Sequence, residues 1–178
     1  KDDDYYGIMS KCLYHQEINY SVKDETADFY AYNIKQFKEN GIYKTQFTLN
    51  SPEGTFECTT NYIGDFMVSN VLAAMIAVWV KGYSVEKLVS ILPSLGALYG
   101  RMEILGDGLP IDIISDFAHT PDGYKKLLEA TREIRKGKRT LLLTGMGGGR
   151  DISKGPLIGE IISEADYVII TTDSPRDE

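Results

Sequence analysis

Three short stretches hold the residues in this chain best suited to chemistry. The first is Asp116-Phe117-Ala118-His119-Thr120-Pro121-Asp122. An Asp just past an apolar run can accept hydrogen bonds from sugar hydroxyls, and a His at a helix entry can meet a ring or a phosphate. The plainer alternative is that Asp116 caps a turn and His119 packs in a loop. The second stretch is Gly145-Met146-Gly147-Gly148-Gly149-Arg150-Asp151. Glycines let backbone N–H groups approach an anion, and Arg150 adds a bidentate donor for carboxylate or phosphate. A flexible turn explains it equally well. The spacing is not the dinucleotide fingerprint, because Arg150 holds the third glycine position. The third stretch is Asp173-Ser174-Pro175-Arg176-Asp177-Glu178. Arg176 after a rigid Pro can hold a carboxylate, or the segment is a solvated surface turn.

Other chemistries find no support in the sequence. No Gly-x-x-x-x-Gly-Lys-Ser/Thr loop occurs, and nothing has the local signature of a Ser/His/Asp or Cys/His triad. The two histidines, His15 and His119, and the two cysteines, Cys12 and Cys58, lack metal-ligand spacing. The cysteines read as reduced thiols, which suits a cytoplasmic protein. A net charge of −7 over 178 residues argues against nucleic acid as a partner. The longest apolar run, Val71 to Val80, is too short to span a bilayer, so no membrane association is expected.

The elements that must position these stretches fall into two halves. Before residue 64 the pattern is of strands. Phe29 to Ile34 is aromatic-rich, and Tyr43, Thr45, Phe47 and Leu49 alternate with polar residues as a half-buried strand does. Asn50 to Gly54 reads as a turn and Thr55 to Thr60 as the returning arm of a hairpin. A helix over about Val68 to Val80 is apolar nearly all round, which predicts burial. Ser84 can cap a second helix that Pro93 helps to end. Ser94 to Gly100 reads as a linker. Beyond it, strands at Ile111–Ser115, Thr140–Thr144 and Tyr167–Thr171 alternate with helices opening at Thr120-Pro121 and at Pro156. Apolar strands without alternation, separated by helices, predict a parallel sheet covered on both faces. Such sheets bind ligands at the carboxyl ends of their strands, where all three stretches fall. The residues by themselves support an α/β ligand-binding protein with an anion-binding face.

Taken in order, the motifs resemble the Mur ligase family, and within it the branch that forms the muramoyl tripeptide. Val68-Ser69-Asn70-Val71-Leu72-Ala73-Ala74 resembles the helix closing the family's central ATPase domain. Gly100-Arg101-Met102-Glu103 resembles the junction into its C-terminal domain. Asp116 to Asp122 is similar to its Asp-Tyr-Ala-His-Thr-Pro-Asp stretch, with Phe117 for Tyr. Gly147 to Asp151 with Lys154 and Pro156 resembles its glycine-rich arginine loop, and Asp173 to Arg176 its Asp-Asn-Pro-Arg signature. Three positions depart: Met67 stands where the family has Asn, Gly155 where it has Arg, and Ser174 where it has Asn.

The resemblance implies a C-terminal Rossmann-like parallel sheet flanked by helices, preceded by the strand and helix end of a central ATPase domain. It implies domains at 1–97 and 98–178. It implies an ATP-dependent ligase of peptidoglycan biosynthesis that adds a diamino acid to UDP-MurNAc-L-Ala-D-Glu through an acyl phosphate. Arg176 favours meso-diaminopimelate over L-lysine as that amino acid. Asn70, Arg101, Asp116 and His119 match ATP-binding positions; Arg150, Asp173, Ser174, Pro175 and Arg176 match amino-acid-binding positions. No catalytic residue and no ligand of Mg²⁺ is expected within these residues. The ATP phosphate loop and the uridine-nucleotide domain are expected before Lys1, and further amino-acid contacts after Glu178. The chain by itself is therefore expected to be inactive. A folylpolyglutamate-synthase-like ligase and a non-catalytic nucleotide- or amino-acid-binding module are the alternatives.

Overall fold

The computed structural model describes residues 1–12, 17–106, 109–147 and 152–173. The chain divides into two compact units, Lys1–Ala97 and Leu98–Glu178.

The first unit opens with one helical turn, α1 (Tyr6–Met9), and builds a four-stranded sheet. Its strands are β1 (Tyr20–Ser21), β2 (Phe29–Glu39), β3 (Ile42–Ser51) and β4 (Gly54–Thr60), side by side in that order. β1 runs parallel to β2, and the remaining pairs are antiparallel. Tyr43, Thr45, Phe47 and Leu49 are all buried as the alternation predicts, and Thr48 between them is buried as well, its hydroxyl hydrogen-bonded to Glu57. The β3–β4 hairpin closes with Ser51 opposite Gly54, so the loop is Pro52-Glu53. β2 is longer than its aromatic run suggests. It carries an irregularity between Tyr32 and Lys35, with Asn33 at φ 53°, and turns into β3 through Asn40-Gly41, both at positive φ. Two consecutive positive-φ residues match the right-handed twist of a hairpin, which is why Asn-Gly suits the position.

Helices α2 (Asp65–Trp79) and α3 (Val85–Ile91) cover one face of this sheet. Met67, Val68, Val71, Leu72 and Met75 of α2 are buried, whereas Asn70, Ala74, Ala77 and Val78 are exposed. The near-continuous apolar pattern thus predicts more burial than the helix has; alanines fill the outer face at little cost. Ser84 caps α3 by accepting from the Lys87 amide at 3.3 Å. Glu53, in the hairpin loop, accepts from the Trp79 indole at 2.6 Å and from the Val85 amide at 2.8 Å. One side chain thereby fastens the hairpin to the junction between both helices. Among the described residues, no helix is long and apolar enough to cross a membrane.

The second unit contains β5 (Glu103–Leu105), β6 (Ile113–Ser115), α4 (Pro121–Ile134), β7 (Leu141–Thr144), α5 (Gly155–Ile162) and β8 (Tyr167–Ile170). β7 and β8 pair in parallel with α5 as the crossover, the βα unit expected of this α/β class. Thr120 caps α4 by accepting from Gly123 N at 3.1 Å, with Pro121 in the first turn. Tyr124, Ile158 and Ile162 form a buried cluster, against which Leu142 and Val168 of the sheet pack. Two features differ from the sequence pattern. β6 pairs antiparallel with β5 and makes no ladder with β7. Helical cover is also one-sided: Leu141, Leu143, Tyr167 and Ile169 are 48–63% exposed. Apolarity specifies that a strand prefers cover but not which neighbour supplies it.

The far ends of the pair are locked by charge. Asp166 accepts from the Thr140 amide at 2.7 Å and pairs with Arg135 at 2.8 Å; Arg132 pairs with Glu164 at 2.7 Å. The Thr140 amide foremost, then the Arg135 charge, holds the Asp166 carboxyl below its ordinary value. This cluster sits at the amino ends of β7 and β8, leaving their carboxyl ends to the motif loops.

Candidate functional site

The first motif begins where β6 ends. Asp116 accepts from the Met102 amide at 2.9 Å through Oδ2 and from the Ala118 amide at 2.8 Å through Oδ1. The turn-capping reading of this residue is therefore realised, and the carboxylate retains lone pairs for another donor. The next residue, Phe117, is 59% exposed. The Arg101 guanidinium lies 4.8 Å from its ring centre, and the His119 ring meets it edge-on at 5.0 Å. His119 Nδ1 is 2.9 Å from the Phe117 carbonyl oxygen. A carbonyl only accepts, so Nδ1 carries the proton and Nε2 of the neutral ring is an acceptor. A cation from the turn before β5 thus meets an exposed aromatic face and a ring acceptor from the loop after β6. Such a surface can stack a planar heterocycle and counter an anion.

The second and third motifs begin where β7 and β8 end. The ladder continues past the strands: the Thr171 amide donates to the Thr144 carbonyl at 2.9 Å, and Gly147 bridges Asp173. Between these contacts sits Gly145. A Cβ built there would lie 2.5 Å from the Thr171 carbonyl oxygen and 3.0 Å from Asp173 Cβ. Only a residue without a side chain lets the two loops come this close. Tyr124, buried on α4, shares a 2.5 Å hydrogen bond with the Thr144 hydroxyl. The helix that follows the first motif therefore supports the loop of the second.

Of the sequence-derived candidates, Arg101, Asp116 and His119 come together in one turn-and-loop cluster. Asn70 lies in the first unit, exposed on α2, with its amide 3.7 Å from Met67 Sδ. Met67 itself is core, 2% exposed, so this departure from the family pattern is accommodated by packing. Asp173 is in the bridged loop. Arg150, Ser174, Pro175 and Arg176 lie outside the described residues. Phe117 as a ring platform and Tyr124 as a loop support are functional residues beyond those the sequence motifs single out. An aromatic between Asp116 and His119 was the available signal for the first; a Tyr on the buried face of α4 was the signal for the second.

Two family models, matched one after the other along the sequence, show that the chain belongs to the Mur ligase family. The Mur ligase middle domain matches residues 1–78, and the Mur ligase, glutamate ligase domain matches residues 100–178. Among curated relatives, the UDP-N-acetylmuramoyl-L-alanyl-D-glutamate--L-lysine ligase of Staphylococcus haemolyticus is 40% identical over 177 residues. That match covers 99% of this chain and 35% of the relative, so the chain spans about a third of its length. Among solved structures, a UDP-N-acetylmuramoyl-L-alanyl-D-glutamate--2,6-diaminopimelate ligase is 31% identical with a TM-score of 0.61, covering 99% of this chain and 36% of that one. MurF from Acinetobacter baumannii shares the fold at 20% identity and a TM-score of 0.77, covering 97% and 37%.

Proposed function

We propose that this chain is part of an ATP-dependent ligase that adds the third residue, a diamino acid, to UDP-MurNAc-L-Ala-D-Glu. The observation that carries the reading is the consecutive match of two Mur ligase domains along the chain, supported by a tripeptide-forming relative over nearly its whole length. On this reading Lys1–Ala97 is the C-terminal part of the central ATPase domain. Leu98–Glu178 is the N-terminal part of the C-terminal domain. The enzyme works in the cytoplasm, where its nucleotide substrates are.

The chemistry then runs in two steps. The D-Glu side-chain carboxylate attacks the γ-phosphorus of ATP, giving an acyl phosphate and ADP. The amine of the diamino acid attacks the acyl carbon, phosphate leaves, and the amide forms with loss of a proton. Arg101, Phe117 and His119 fit the adenosine end: a cation, a ring face and an acceptor lie together in one turn-and-loop cluster. Asn70 and Asp116 are assigned to the same end. Arg150 and Asp173 to Arg176 are assigned to the incoming amino acid. Mg²⁺ neutralises phosphate charge in such transfers. Its ligands are assigned outside this chain, on the resemblance to the family.

For the amino acid, meso-diaminopimelate is the first reading. It exceeds lysine by one carboxylate, and Arg176, which follows Pro175 in the sequence, supplies a guanidinium that can donate bidentately to such a group. L-lysine is the second reading, favoured by the name of the Staphylococcus haemolyticus relative. The test is a side-by-side assay of both amino acids with full-length wild type and Arg176→Ala. The first reading expects wild type to prefer diaminopimelate and the variant to raise its KM about tenfold to a hundredfold, the worth of one charge-assisted bond. Preference for lysine selects the second; an unchanged KM in the variant refutes the role given to Arg176.

A further inference from the structure

The turn at 100–103 is held through two of its amides by carboxylates. Gly100, at φ 61°, donates to Glu103 Oε2 at 2.8 Å. Met102, at φ 46°, donates to Asp116 Oδ2 at 2.9 Å. A methionine in the left-handed region stays there only when its surroundings hold it. The other Asp116 oxygen takes the Ala118 amide. One side chain therefore fixes the residue after Arg101 and the residue after Phe117. Those two flanked residues are the ones that meet, guanidinium over ring at 4.8 Å, on an exposed surface. Core packing of these two side chains does not account for the contact, because both face solvent; the Met102 side chain of the turn is buried.

We propose that Asp116 is a positioning residue, which acts through the Met102 and Ala118 amides to hold Arg101 and Phe117 as a preformed cation–aromatic platform. The proposal rests on the nucleotide reading of this loop. It assigns Asp116 a role that does not depend on touching a sugar hydroxyl. A carboxylate fixed this way spares the platform the ordering cost it would otherwise meet on binding a flat ring.

The test uses the full-length protein and two probes, ADP and 2′,3′-dideoxy-ADP, titrated calorimetrically into wild type, Asp116→Asn, Arg101→Ala and the double variant. Asn keeps one acceptor but turns an NH₂ toward one amide, so the size is conserved while one of the two bonds is lost. The proposal expects Asp116→Asn to weaken both probes by the same factor, about tenfold. In the Arg101→Ala background the same change should cost less than about twofold, because the two residues act as one unit. Loss confined to ADP, or full additivity of the two substitutions, overturns it. If wild type binds neither probe, the nucleotide reading fails, and amide hydrogen exchange decides the positioning claim separately. Exchange at Met102 and Ala118 at least about tenfold faster in Asp116→Asn upholds the brace; unchanged exchange at both amides overturns it.

Discussion

Gly145→Ala is the substitution that most directly probes how the motif loops are held. The added Cβ would meet the Thr171 carbonyl oxygen at 2.5 Å, where ordinary contact begins near 3.4 Å, with Asp173 Cβ at 3.0 Å and Asp173 N at 3.2 Å behind it. The nearest atom is backbone and belongs to the residue whose amide donates to the Thr144 carbonyl, so it cannot swing aside as a side-chain tip would. The loop after β7 must separate from the loop after β8, breaking the Gly147–Asp173 bridge. Overpacking of this kind costs about 1–3 kcal/mol, roughly a five- to 150-fold shift in the folding equilibrium. Urea unfolding gives the stability, and the KM for the diamino acid in the full-length enzyme gives the functional effect, expected to rise because Asp173 moves. Gly159→Ala is the control. It lies in α5 with nothing within 4 Å of the added atom. It should stabilise by about 0.5–1 kcal/mol, as Ala does for Gly in a helix. Wild-type stability and KM in Gly145→Ala would refute the close-approach argument.

Three further outcomes test the packing and the charges. Glu53→Gln should destabilise the first unit by about 1–3 kcal/mol, since Gln cannot accept from both the Trp79 indole and the Val85 amide; a urea midpoint equal to wild type would show the latch to be idle. Cys58 is buried, and burial foremost, then the Glu57 charge, pushes its thiol up to about 12, whereas Cys12 is exposed. In this chain a disulfide-exchange reagent near pH 8 should therefore label Cys12 in the native state and Cys58 only on unfolding. Because the Asp166 carboxyl titrates below its ordinary value, its contribution is complete above the ordinary range and fades as pH falls through the folded value. Asp166→Asn should lower the urea midpoint at neutral pH, and the gap to wild type should narrow as pH falls below the ordinary carboxylate range; a constant gap would mean the charge is not involved.

Local signals in the sequence translated well. Thr120 and Ser84 cap the helices they were expected to cap, and Tyr43 to Leu49 bury alternate residues. These features depend on a few neighbouring residues. The Asn40-Gly41 turn marks the β2–β3 hairpin, but the aromatic-rich run Phe29–Ile34 shows only the first half of β2. What periodicity could not supply was partnership between distant segments. Ile113–Ser115 is apolar whether it pairs with β5 or β7, and Leu141 and Leu143 are apolar whether or not a helix covers them. At the candidate site, Asp116 and His119 could be picked out by type and position. The stacking of Arg101 on Phe117 could not, because it depends on the Met102 turn, whose left-handed backbone has no sequence signature in a methionine.

The most direct test of the central claim is a coupled stoichiometry measurement on the full-length protein. It is supplied with ATP, UDP-MurNAc-L-Ala-D-Glu and a diamino acid, while ADP, phosphate and the new amide are quantified together. The account predicts that ADP, phosphate and UDP-MurNAc-tripeptide appear in equal amounts, and that none forms at an appreciable rate when the diamino acid is omitted. Nucleotide binding without amide formation would leave a binding module in place of a ligase. Glutamylation of a folate with no use of the muramoyl dipeptide would assign the chain to a different ligase and contradict the account.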